Sequence, residues 1–317
     1  MQELPFILGV GQKMRRTMLS KKIRKLATNR VVILENVTCP YCGKLLNESN
    51  NTKEHVIGRR FVPKGSLDRN WNLILRACRD CNSEKSILEN DISAITQAGK
   101  HWFGGNDASE GELEEAQRKA RHSTSRKTGK PVLNSQEEFK IKVLSAPGAA
   151  ITLNMVAPPQ IDQERIFHLA RMQMMGFFYF ITYNQETKRG GFWPEGFYMI
   201  SEAHHRDWGN SLHRSFMNLV VSWEPRWVVN TAEGYFKSII RRHPNAMCWS
   251  WALEWNKNYR MVGFFGDKSA AKELIDGFEK PSMSTSQVKD DASISFRSDV
   301  PLDENNDHLF LWEDGNA

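Results

Sequence analysis

The chain has 317 residues, of which 40% are hydrophobic and 25% are charged, with 43 Lys and Arg against 37 Asp and Glu. This composition excludes collagen-like, mucin-like and wholly disordered chains, and the length allows roughly two domains. The longest apolar run, residues 174–181, is far shorter than the ~20 residues of a membrane-crossing helix, so we expect no membrane contact. The N-terminal positive charges follow its apolar residues, the reverse of a secretory signal, which predicts a cytoplasmic protein.

A basic arm forms the first predicted segment, residues 1–30, with eight Lys and Arg side chains and one acidic side chain. At the other end, residues 281–317 hold two basic and eight acidic side chains and predict an acidic flexible tail. Charge separated in this way indicates a polyanionic partner, because Lys and Arg that neutralise phosphates release condensed counterions. A solvated surface with a solubilising tail is the alternative. In the arm we expect DNA contacts from Arg15, Arg16, Lys21 and Lys22.

Four of the five cysteines form two CxxC pairs that are 35 residues apart. In an intracellular protein this pattern indicates one structural Zn²⁺ held by Cys39, Cys42, Cys78 and Cys81, because each pair presents two sulfurs from a tight turn. Two disulfides are disfavoured by a reducing compartment. The fifth, Cys248, is predicted to be a small buried apolar residue.

Polar residues in a fixed order accompany these pairs. Glu54 and His55 lie between the pairs, Asn72 precedes the second pair, Asn82 follows it directly, and Lys85 comes three residues later. Short β-prone runs at residues 56–57 and 73–75, and helical spacing of apolar residues over residues 82–96, predict strand, loop, strand and helix. The combined pattern, over about residues 35–95, resembles the HNH endonuclease family in its HNN variant.

The resemblance implies a zinc-stapled ββα-metal nuclease domain over residues 31–100 and a catalytic Mg²⁺ or Mn²⁺ besides the zinc. In it, His55 is the general base, Asn82 and Glu54 are ligands of the divalent ion, and Asn72 braces the loop that orients His55. Neighbours in an ideal strand point to opposite faces, so joint use of Glu54 and His55 requires a twisted or bulged backbone. Phosphate contacts are expected from Arg59, Arg60, Arg76 and Lys85.

After this domain, residues 101–135 are predicted to be a basic linker with a helix over residues 110–121. Residues 136–280 predict a mixed α+β domain with its own core, which makes the fold class α+β. The predicted helices of that domain cover residues 162–183 and 270–278. Its predicted strands cover residues 139–144, 151–156, 197–200, 219–223, 227–229, 247–255 and 259–265.

These patterns together predict a metal-dependent endonuclease that nicks DNA with little sequence specificity. One site per chain favours single-strand cuts, and the oligomeric state stays open. The resemblance implies an effector of antiphage defence in a bacterial or phage-infected cell, with possible protein partners from the same operon. The alternatives are a non-catalytic zinc-ribbon module that only binds DNA, a homing or restriction-type nuclease, and a nuclease directed at RNA.

Overall fold

The computed structural model describes residues 24–25, 30–102, 109–145, 149–192, 196–281, 284–288 and 292–311. The four arm residues predicted to contact DNA, Arg15, Arg16, Lys21 and Lys22, lie outside the described residues. The chain is of the predicted α+β class, with helices and several sheets. Within the described residues, no helix is both long and apolar enough to cross a membrane.

The segment around the cysteine pairs, residues 30–102, is a three-stranded sheet followed by a long helix. Its strands are β2 (Val31–Ile33), β3 (Asn51–His55) and β4 (Asn72–Cys78), and its helix is α1 (Arg79–Trp102). The order in the sheet is β2-β4-β3, with β2 parallel and β3 antiparallel to β4. Strand, loop, strand and helix thus follow in the predicted order.

Strand β3 ends at His55, just before residues 56–57, where the sequence predicts a strand. The backbone N–H of Val56 still donates to the carbonyl of Leu73, at 2.9 Å. The next residue, Ile57, instead bonds to the side chain of Asn72 through both its N–H and its carbonyl. The backbone pairing of this segment with β4 therefore ends at Val56. At Ile57 the side-chain amide of Asn72 replaces the backbone partner.

The rest of the described residues contain two hairpins, four α-helices and a six-stranded sheet. The helices are α2 (Glu110–His122), α3 (Gln163–Ile181), α4 (Ser211–Val220) and α5 (Lys268–Asp276). The strands are β1 (Arg24–Lys25), β5 (Glu137–Ser145), β6 (Ala149–Ala157), β7 (Phe197–His204), β8 (Glu224–Thr231), β9 (Phe236–Arg242), β10 (Cys248–Trp255), β11 (Tyr259–Gly266), β12 (Ser284–Val288) and β13 (Ala292–Phe296). The large sheet has the order β1-β8-β9-β10-β11-β7, and β5-β6 and β12-β13 are antiparallel hairpins.

Two parts of this sheet layer differ from the sequence prediction. Residues 219–223, predicted as a strand, are the end of α4 and the turn after it. The buried residues Phe216, Met217 and Val220 lie at helical spacing, and the Asn210 side chain caps the helix by accepting from the N–H of His213. Strand β9 was not predicted, because its Lys, Ser and Arg residues conceal the apolar alternation.

Helix α3 joins the cysteine segment to the six-stranded sheet. Asp162 caps it, and nearly every residue from Leu169 to the end of the helix is buried. Phe177 stacks on Trp227 of β8 with ring centroids 5.1 Å apart, and the hydroxyls of Tyr179 and Thr38 are 2.8 Å apart. The largest apolar cluster contains residues of both regions. Residues 136–280 therefore share a core with the cysteine segment, in addition to a second cluster formed largely within their own region.

Residues 297–311 of the acidic tail contact the rest of the chain at several points. Arg297 forms an ion pair with Asp207, the carbonyl of Val300 accepts from the N–H of Gly209 at 2.8 Å, and Leu309 is buried in the second apolar cluster. Asp307 lies 2.6 Å from the buried guanidinium of Arg260. These contacts anchor residues 297–311 to the domain at a few points, while most of their side chains are exposed, and a flexible tail stays a prediction.

Gly176 of α3 packs closely against Val56 of the cysteine segment. A Cβ placed on Gly176 would lie 2.8 Å from a methyl group of Val56. We expect Gly176→Ala to destabilise the protein by about 1–3 kcal/mol through overpacking, even though alanine is the better helix former. Denaturant unfolding followed by tryptophan fluorescence measures this change. The double variant Gly176→Ala with Val56→Ala should lose at least about 1 kcal/mol less than the sum of the single variants, and strict additivity would contradict this contact.

Candidate functional site

The four paired cysteines converge at the junction of the sheet and α1. Cys78 is the last residue of β4 and Cys81 lies in the first turn of α1, while Cys39 and Cys42 belong to a turn closed by the bond from the N–H of Gly43 to the carbonyl of Cys39. The left-handed conformation this turn needs is supplied by Gly43, with φ of 72°. All four sulfur atoms lie within 4.8 Å of one another.

The geometry and the chemistry of this cluster fit a tetrahedral zinc site. A Zn–S bond of 2.3 Å in a tetrahedron places sulfurs about 3.8 Å apart, and the sulfurs of Cys42 and Cys78 are 3.6 Å apart. A hydrogen bond from the Cys81 thiol lowers the pKa of Cys39 to about 5, so this sulfur readily becomes a thiolate ligand. The cluster can therefore hold a metal ion such as zinc, which would tie the end of β4 to the start of α1.

His55 is the last residue of β3 and lies opposite Ile74 of β4. Its ring is partly exposed, and burial, then the charges of Arg59 and Lys53, lower its pKa to about 4. The imidazole is therefore neutral near pH 7 and has a free lone pair. The side chain of Asn72, which is 4% exposed, holds the segment after His55 through a bond of 2.9 Å from its amide nitrogen to the carbonyl of Ile57.

Helix α1 covers the free edge of β3. Hydrogen bonding along β3 directs the carbonyls of Lys53 and His55 away from β4. Asn82 donates from Nδ2 to the carbonyl of Lys53 at 3.3 Å and to the hydroxyl of Thr52 at 2.9 Å, and Lys85 donates from Nζ to the carbonyl of His55 at 3.0 Å. These contacts protect the edge from pairing with another strand.

The orientation of the Asn82 amide follows from its partners. A backbone carbonyl can only accept, so the amide nitrogen must face Lys53. The amide oxygen accepts no hydrogen bond from any described residue. Asn82 thus retains one oxygen that a hard cation can use.

Glu54, which the sequence predicts to be a metal ligand, is buried and bound to protein groups. Its side chain is 4% exposed, and its Oε1 accepts from the hydroxyl of Tyr41 at 2.9 Å and lies 2.7 Å from the Nζ of Lys85. Lys85 also lies 2.6 Å from Glu89, and the two carboxylates outweigh the effect of burial and raise the pKa of the Lys85 ammonium. Glu54 serves as a buried counter-ion, which does not fit a hydrated Mg²⁺ or Mn²⁺.

Lys85 is likewise unsuited to the predicted phosphate contact. The side chain is 1% exposed and held by two carboxylates and the His55 carbonyl, so contact with DNA would require breaking both ion pairs. The other predicted phosphate contacts, Arg59, Arg60 and Arg76, are exposed.

Sequence reasoning missed Lys53 at this site. Lys53 is exposed and lies two residues before His55, so strand alternation places both side chains on one face of β3. The same alternation places Thr52 and Glu54 on the face toward α1. The sequence does contain a signal for Lys53, because it lies two residues before His55 and residues two apart in a strand share a face.

Comparison of the chain with protein-family models, with curated proteins and with solved structures finds no match. The resemblance to HNH nucleases therefore stands on the residue pattern alone.

Loss of one sulfur ligand should abolish metal binding. We expect the purified chain to contain about one zinc ion, and Cys81→Ser to lose it and unfold at a lower temperature, because zinc binding contributes to folding. Atomic absorption and thermal unfolding measure the two effects. The matched control is Cys248→Ser, which removes the buried fifth cysteine and should keep the zinc. Equal zinc contents in both variants would exclude the four-sulfur site.

The buried ion pairs of Lys85 should contribute strongly to stability. Lys85→Met leaves Glu54 and Glu89 without their counter-ion, and we expect a loss of about 3–5 kcal/mol in the free energy of unfolding. The exposed Lys44, 3.8 Å from Asp80, provides the control, since Lys44→Met should change stability by less than about 0.5 kcal/mol. Denaturant unfolding of both variants measures the loss in free energy of unfolding. A loss for Lys85→Met as small as that for Lys44→Met would refute the counter-ion role.

Proposed function

We propose that the chain is an HNH-type endonuclease that nicks DNA by hydrolysing phosphodiester bonds. The observation that carries this proposal is a neutral, partly exposed imidazole, His55, at the end of a strand that the four-cysteine cluster and α1 hold in place. Basic side chains surround this imidazole, as the effect of Arg59 and Lys53 on its pKa shows. The order of residues in the sequence also supports the proposal, because Asn72 and Asn82 occupy the positions of the two asparagines in the HNN pattern.

His55 would act as the general base. A neutral imidazole can take a proton from a water molecule that lies in line with the phosphorus atom, and such a base typically accelerates hydrolysis by about 10²–10⁴-fold. Asn72 holds the backbone after His55 and thereby positions the ring. Arg59 and Lys53 would offset negative charge that develops on the phosphate oxygens.

The chain offers one free hard ligand for the proposed divalent ion, the amide oxygen of Asn82. A Mg²⁺ or Mn²⁺ ion bound there would supply electrostatic stabilisation of the phosphate. Mg²⁺ usually keeps several water ligands and shares substrate phosphates, so few protein ligands suffice when DNA is present. Because Glu54 is held by Lys85, we expect the ion to bind weakly in the absence of DNA.

A zinc-stabilised module that only binds DNA is the second candidate function. The observation that favours it is the ion pair between Glu54 and Lys85, which removes one of the two predicted metal ligands. Both candidates require an exposed basic surface near His55, so binding alone does not separate them.

A plasmid assay separates the two functions. We expect the wild-type chain to convert supercoiled plasmid to the nicked form with Mg²⁺ or Mn²⁺, and His55→Ala to lower the rate at least about 100-fold. His122→Ala, in an exposed position on α2, is the control and should keep the wild-type rate. Dependence on the divalent ion is tested by omitting the ion, because a chelator would also remove zinc.

The outcome against the nuclease is an intact plasmid with both wild type and His55→Ala, while both proteins retard the plasmid on a gel. That result would support the second candidate function, a zinc-stabilised module that only binds DNA. Cleavage of labelled RNA, with no cleavage of DNA under the same conditions, would overturn DNA as the substrate.

A further inference from the structure

The three-stranded sheet of the cysteine segment has one buried face and one face that is exposed at its outer strands and at Arg76, while Asn72 and Ile74 on this second face are buried. The buried face includes Glu54, Leu73 and Leu75, whose side chains are at most 4% exposed. On the second face, Val31 and Ile33 of β2 are 51% and 65% exposed, and Lys53 and Arg76 are exposed as well. We call this set, together with His55, the outer face.

Two like charges lie directly opposite each other on the outer face. Lys53 of β3 pairs in register with Arg76 of β4, so their side chains project from the same face of neighbouring strands. Like charges in this position are destabilising. Neither side chain forms an ion pair within the described residues, and the nearby Glu35 is 3.3 Å from Lys188. The fold thus keeps an uncompensated positive pair beside His55.

The position of this pair relative to His55 suits an extended anion. Lys53 and His55 are two residues apart on one face of a strand, a separation of about 6.6 Å. A ligand that contacts both groups must therefore extend along β3, as a nucleic-acid backbone does, with a phosphate at the Lys53 ammonium and the next phosphate at the neutral imidazole. Arg59 and Arg60, both exposed, extend the positive charge beyond the end of β3.

We propose that the phosphate backbone of DNA lies across the outer face, held by Lys53 and Arg76, so that the adjoining phosphate meets His55. This inference rests on the proposed function only in taking DNA as the partner. It assigns the polyanion to the outer face, and it makes Lys53, which the proposed function places near the phosphate, a direct binding residue. Asn82 is bonded to the Lys53 carbonyl at the edge of β3, beside this face. Glu54, on the buried face of the sheet, and Lys85 of α1 contribute to folding and make no contact with the DNA backbone.

Salt dependence of binding tests this assignment. The full chain carrying His55→Ala is titrated into a fluorescent DNA duplex without divalent ion at 50–200 mM salt, with anisotropy as the readout, so that cleavage cannot interfere. Each phosphate contact that is lost lowers the slope of log affinity against log salt by about 0.9. We expect this decrease for Lys53→Gln and for Arg76→Gln, and about twice the decrease for the double variant.

Lys272→Gln provides the control, since Lys272 is exposed on α5 and should leave the slope unchanged. Zinc content and thermal unfolding verify that each variant is folded. If Lys53→Gln and Arg76→Gln keep the slope of the parent, the outer face is not the binding surface and the proposal is overturned. Changes seen only with RNA would overturn DNA as the occupant.

The two proposals fail in distinguishable ways. If the plasmid assay shows no nicking but the slopes fall as expected, DNA binding by the outer face stands and the nuclease activity does not. If the plasmid is nicked while the slopes are unchanged, the nuclease stands and the outer face does not.

Discussion

The contact between α1 and the free edge of β3 is the constraint on which the rest of the site depends. Cys78 and Cys81 fix where β4 ends and α1 begins, which sets the direction in which the helix runs along β3. Asn82, Lys85 and Glu89 then lie on one face of the helix and reach the carbonyl of Lys53, the carbonyl of His55 and the N–H of Gly58. Because an edge strand left open invites pairing with other chains, these contacts also preserve the strand that carries His55.

This arrangement explains why Glu54 is withdrawn from the predicted metal site. A carboxylate on the face toward α1 loses its hydration, and burial of an unpaired charge is strongly unfavourable. Lys85, about one helical turn after Cys81, supplies the opposite charge, and Tyr41 adds a hydrogen bond. The motif residues Glu54 and Lys85 are therefore used to stabilise the fold, while the amide oxygen of Asn82 accepts no hydrogen bond from the described residues.

Much of the local structure could be predicted from the sequence. The pairing of the cysteines follows from their spacing, and α3 and the β5-β6 hairpin follow from apolar periodicity with an Asp cap and a turn. What could not be predicted depends on contacts between distant segments. The face that each residue of β3 presents is set by the register with β4 and by the position of α1, and Asn72 ends that strand from 15 residues away. The packing of residues 297–311 depends on Asp207 and on Arg260, neither of which the tail's own composition reveals.

Alternation along β3 separates two tasks within five residues. Thr52 and Glu54 face α1 and belong to the interactions that hold the segment together, whereas Lys53 and His55 face outward and belong to the proposed contact with DNA. Substitutions on the inner face should change mainly the free energy of unfolding, and those on the outer face mainly binding and turnover. A shift of the register by one residue would exchange the two sets, placing the positive pair against the core and the buried carboxylate in solvent. The ion pair between Glu54 and Lys85 opposes such a shift, so the buried charge also helps to keep His55 on the outer face.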